Sequence, residues 1–120
     1  MNLDRNAILG AHDVRTQAVD IPEWGGTAFV RVLTGSERDT MESEISANKG
    51  KVAPNFRARF TSLILCDAQG VRLFSEKDAV ALAAKSGLAM DRVIKAGMAL
   101  NQLDEGEVQK AVGESGGDPS

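Results

Sequence analysis

The chain has 120 residues, 42% apolar and 26% charged, with four Phe, one Trp and no Tyr, which makes one domain with a largely aliphatic core. Its net charge of −3 comes entirely from the second sixty residues, and no concentrated basic footprint of a nucleic-acid binder is present. One cysteine excludes an internal disulfide, and no apolar run nears the ~18 residues of a membrane span.

The opening "MNLDRNAILGAHDV" lacks the basic region and the roughly 7–15 apolar residues of a signal peptide, so a cytoplasmic protein is expected. Residues 1–13 form a weakly patterned N-terminal segment, in which "NAILGA" reads as a short helix or a strand. A single α+β domain is expected over 14–112. "VRTQAVDIP" and "TAFVRVLTG", joined through Pro22-Glu23-Trp24-Gly25-Gly26, read as a β-hairpin. Val19 and Ile21 share a face; Val30 and Val32 share a face, with Phe29 and Leu33 on the opposite one.

Ser36 stands where a helix N-cap is expected, with Glu37 and Asp39 in the first turn. Met41 and Ile45 give that helix only a narrow apolar stripe. "NKGKVAP" reads as a connection. Across 56–62 the spacing of Phe56 and Phe60 fits helix and strand equally well, while "LILC" tilts the following residues towards strand. "DAQG" is a turn, since Asp67 can bond its own downstream backbone and Gly70 tolerates positive φ. "VRLF" is expected as the return strand. Ser75 and Asp78 then cap a helix from about Glu76 to Lys85.

The best-defined helix is expected from about Ala89 to Leu103, with Met90, Val93, Ile94, Gly97, Met98 and Asn101 on one stripe, widened by Leu100 and Leu103. Asp104 and Glu107 predict a last helix from Glu105 to about Val112, and 113–120 form a Gly/Ser tail. The expected fold is α+β: a small antiparallel sheet of two β-hairpins with about four packed α-helices.

Catalytic machinery is not legible. Cys66 reads as a small buried apolar residue rather than a nucleophile. One Cys and one His fall short of a zinc set, the Asp67–Asp78 acids do not follow a calcium loop, and no glycine pattern matches a phosphate cradle. No cofactor, metal or enzymatic activity is therefore expected. Trp24 reads either as a plug on one end of the core or as an exposed binding anchor. Met41, Met90 and Met98 read as core filler or as an adaptable surface.

In order, "VDIPEWGG", "VRVLTGSERD", "LILCDAQGVRLFSEKDAVAL" and "ALNQLDEGEVQ" resemble the tail assembly chaperones of long-tailed bacteriophages and prophages. The matching positions are Pro22, Glu23, Trp24 and Gly25, then Asp67, Gly70, Leu73, Phe74 and Asp78. The resemblance implies a non-catalytic protein of the host bacterial cytoplasm that binds the tape-measure protein and keeps it soluble. It also implies a frameshift-extended form of the chain itself and absence from the finished virion. The alternative is a structural head–tail connector or tail component retained in the particle. For homo-oligomer or client contacts, the candidate residues are Trp24, Val80, Leu82, Met90, Val93, Ile94 and Met98, with the core plug as the alternative for Trp24 and packing on the sheet as the alternative for the others.

Overall fold

A computed structural model of the chain describes residues 2–48, 51 and 53–103. The helix expected at 105–112, the tail at 113–120 and most of the 49–52 connection lie outside the described residues. A short helix α1, Arg5–Leu9, is capped by Asp4, whose Oδ1 accepts the Ala7 N–H at 2.9 Å. Strands β1, Thr16–Ile21, and β2, Gly26–Arg31, then pair antiparallel with Ile21 opposite Gly26 and Thr16 opposite Arg31. This is the expected hairpin, closed by a 3-10 turn at Pro22–Trp24 and by Gly25 at φ +75°.

Helix α2, Gly35–Asn48, begins one residue earlier than its expected cap at Ser36. Thr34 caps it instead: the Glu37 N–H donates to Thr34 Oγ1 at 3.2 Å and the Thr34 N–H donates to Glu37 Oε1 at 3.0 Å. That reciprocal box satisfies two terminal groups at once, which Ser36 cannot do. Met41 is the one buried residue of α2.

The ambiguous stretch is helical. Helix α3, Phe56–Ile64, runs into a two-residue strand β3, Leu65–Cys66, which pairs with Phe29 and Val30 at the edge of β2. The sheet is thus three antiparallel strands in the order β1-β2-β3. The expected second hairpin shrinks to one bridge between Cys66 and Arg72. Its turn is as read: Asp67 Oδ1 accepts the N–H groups of Gln69 and Val71 at 2.9 and 3.0 Å, and Gly70 takes φ +87°. The chain then enters a 3-10 turn at Glu76–Asp78 and helix α4, Ala79–Leu82, with Asp78 Oδ2 accepting the Ser75 N–H at 2.8 Å.

Helix α5, Gly87–Asn101, starts at a Ser86 cap and ends at left-handed Gln102, where the Leu103 N–H returns to the Met98 carbonyl. Its expected stripe is its buried face: Met90, Val93, Ile94, Gly97, Met98 and Asn101 are all enclosed. That face packs on Ile21 and Val30 of the sheet and on Phe56, Phe60 and Ile64 of α3. Leu33 joins this core although strand alternation sets it opposite Val30. The ladder ends at Arg31, so alternation no longer governs the residues beyond it. The α+β architecture therefore stands, with one hairpin fewer in the sheet than expected.

Candidate interaction surface

Two apolar depressions flank α4. The first begins with sequence-local chemistry: Pro22 presets the 3-10 turn, and left-handed Gly25 closes it by donating its N–H to the Pro22 carbonyl at 3.0 Å. Arg92 of α5 then pins the turn, its Nε donating to Glu23 Oε1 at 2.8 Å. The hydrogen bond from Arg92 holds the Glu23 carboxyl below its ordinary range and raises Arg92 in turn. Trp24 lines a groove of about 330 Å³ together with Phe74, Ala81 and Leu82, with Asp78 and Lys85 supplying its polar lining. Trp24 remains 38% exposed, so it walls a groove rather than sealing the core.

The second depression, also about 330 Å³, lies between α2, α3 and α4. Phe56, Phe60 and Leu63 line it, an Arg59–Glu44 ion pair sits along it, and Val80 stands at its edge with 76% of its surface open.

The remaining candidates lie inside. Leu82 and Met90 pack with Ala58 and Ala79 in a small satellite core, while Val93, Ile94 and Met98 belong to the main core. Of the seven candidates, Trp24 and Val80 therefore reach the surface of the folded subunit, and the structure does not bring those two into one groove. Sequence reasoning missed Phe74 and Lys85 as groove residues. Phe74 touches both cores and the groove, a position that only tertiary packing reveals.

Burial pushes the Cys66 thiol up, with Arg31 drawing it back and Asp67 adding to the rise. A thiol so placed stays protonated at neutral pH and is a poor nucleophile. Among the described residues no three His, Cys, Asp or Glu side chains gather as a metal site, and no helix is long and apolar enough to cross a membrane.

No family model matches the chain, and no curated protein matches it. Among solved structures, the tail assembly chaperone of bacteriophage HK97 superposes with a TM-score of 0.60 over 83% of this chain and 95% of that one, at 17% identity. The resemblance read from the Pro-Glu-Trp-Gly turn and the Asp67–Phe74 segment thus extends to three dimensions: this chain has the fold of the HK97 tail assembly chaperone.

Proposed function

We propose that the protein is a non-catalytic tail assembly chaperone of a bacteriophage or prophage, acting in the host cytoplasm on the tape-measure protein. The observation that carries this reading is the likeness to the HK97 chaperone, which takes in nearly the whole of that protein. The protonated, enclosed Cys66 supports a binding role over thiol chemistry.

The family resemblance implies a long, helix-rich client, and apolar anchors on a helix recur every three or four residues. Val80 and the depression lined by Phe56, Phe60 and Leu63 offer such anchors a seat. Each contact is small, and repetition along one client supplies the avidity. A frameshift-extended form would branch off within the Gly/Ser tail at 113–120 and keep the residues of this surface unchanged.

Co-expression with a tape-measure fragment that is insoluble alone tests the reading. The expected result is a soluble complex that co-purifies. A fragment that stays insoluble beside the folded chaperone, or this chain found in stoichiometric amount in purified particles, overturns it.

A further inference from the structure

We propose that the outer half of α2, residues 42–48, is a strap beside the α2–α3–α4 depression, and that an incoming helix displaces it by offering Arg59 a carboxylate in place of Glu44. This rests on the reading above that the depression seats the client, and adds how the seat opens and which helices it takes.

The two halves of α2 are attached in different ways. Up to Met41 the helix is fastened to the body. Glu37 pairs with buried Arg31, Arg38 Nη1 donates to the Asn101 carbonyl at 3.1 Å, and Met41 is enclosed in the main core. Beyond Met41 no residue of α2 is buried. Among the described residues, the attachments there are Ile45, partly buried against the core, and Glu44, paired with Arg59 of α3. The sequence of this half, "ESEISAN", does little for a helix on its own, because Ser and Asn bond nearby backbone in competition with it. A segment with so little apolar burial opens locally while the rest of the fold stays closed.

The Glu44–Arg59 pair is the latch. Its Arg59 side is half exposed, so water and salt weaken it more than the enclosed Arg31–Glu37 pair.

The size of the depression requires the strap to move. A cavity of about 150 Å³ holds a six-carbon ring, so about 330 Å³ has room for side chains and not for a helix. A helix is about 10–12 Å across, and its anchors at i and i+4 lie about 6 Å apart along the axis. To lay such a face along Phe56, Phe60 and Leu63, the wall that carries Glu44 has to give way.

Displacement leaves a charge to be matched. With Glu44 withdrawn, Arg59 and Glu76 are the charged residues of the lining. An acid beside the apolar stripe of the incoming helix restores the Arg59 pair, whereas a base at that place is repelled. The occupant is therefore an amphipathic helix with an acidic flank. Helix α2 itself carries the pattern, with Glu44 one turn beyond Met41.

The test uses the full chain with two helical peptides as probes. Both carry Leu at alternating third and fourth positions, and they differ in having Glu or Lys beside that stripe. Wild type is compared with Glu44→Gln and Arg59→Glu by hydrogen exchange and by fluorescence anisotropy of the labelled peptides. Slow exchange along α5 shows in each chain that the body is folded. Without peptide, either substitution, or raised salt on wild type, should speed exchange of residues 45–48 several-fold and leave residues 38–41 unchanged. Wild type should bind the Glu peptide several-fold more tightly than the Lys peptide, and saturating Glu peptide should speed exchange at 45–48 further. Glu44→Gln should bind the Glu peptide several-fold more tightly than wild type does, whereas Arg59→Glu should reverse the preference. Unchanged exchange in Glu44→Gln, protection of 45–48 by bound peptide, or an Arg59→Glu chain that still prefers the Glu peptide overturns the strap and leaves the seat standing. A wild type that binds neither peptide overturns strap and seat together.

Discussion

Asn101, on the last turn of α5, accepts the Leu33 N–H on its Oδ1 at 2.7 Å, 68 residues away in sequence. Its Nδ2 donates to the carbonyls of Gly97 and Arg31 at 2.9 and 3.3 Å. One buried amide therefore fastens the end of β2 to the end of α5 and guides Leu33 into the core after the ladder stops. An Asn101→Ala chain leaves the Leu33 N–H and the Arg31 carbonyl dry and unpaired, which costs about 1–3 kcal/mol each. Urea unfolding should show a lower midpoint with an unchanged slope, equivalent to roughly 2–6 kcal/mol of lost stability.

Gly97 faces Ile64 so closely that a Cβ at position 97 would overlap Ile64 Cδ1. This is the seam where α5 crosses α3, and Ile64 is fully enclosed. Gly97→Ala gains about 1 kcal/mol of helix propensity and loses roughly 1–3 kcal/mol to overpacking, so net destabilisation is expected. Ile64→Val removes the obstructing methyl. The double variant should be more stable than Gly97→Ala alone, and thermal unfolding of the four chains in the cycle checks it.

The buried stripe of α5 was legible because six residues at helical spacing carry one message, and the structure encloses all six. The Asp67–Gly70 turn was legible for a similar reason, since a short-range hydrogen bond and one positive φ fix it. The 56–62 segment was not legible: its apolar residues satisfy both periods, and the deciding factor is that α3 is buried on nearly every side. Nor could spacing separate a surface from a core. Val80 and Leu82 are neighbours on a short helix, yet one is open and the other sealed against Met90. Only the placement of α3 and α5 around α4 distinguishes them.

Arg31 is a buried cation held by Glu37 at 2.5 Å, and its Nε has no partner among the described residues. Burial by itself would raise Glu37, but the hydrogen bonds from Arg31 and Thr34 outweigh it and hold the carboxyl below the ordinary 4.5. A depressed folded value contributes stability fully above about pH 4.5, and that contribution is lost as pH falls through the folded value. Glu37→Gln should lower stability at pH 7 by about 3 kcal/mol, since it leaves Arg31 enclosed without its counter-charge. The variant should also lose less than wild type between pH 5 and pH 3, read from unfolding midpoints at each pH.

Val80 and Met90 separate contact from support, because each sits near α4 but on opposite terms with solvent. Val80 is open and touches little, so Val80→Asp should change stability by no more than about 0.5 kcal/mol. Met90 is sealed against Leu82 and Ala58, so Met90→Ala should cost about 2–5 kcal/mol through the cavity it leaves. If α4 faces the client, Val80→Asp lowers the soluble yield of a co-expressed tape-measure fragment several-fold while the chaperone itself melts as wild type. Met90→Ala lowers that yield only in step with its own unfolding, and cooling the culture should restore it. Measuring the soluble client and the chaperone melting curve on the same preparations distinguishes the two losses. A Val80→Asp chain that holds client as well as wild type would move the contact surface away from α4.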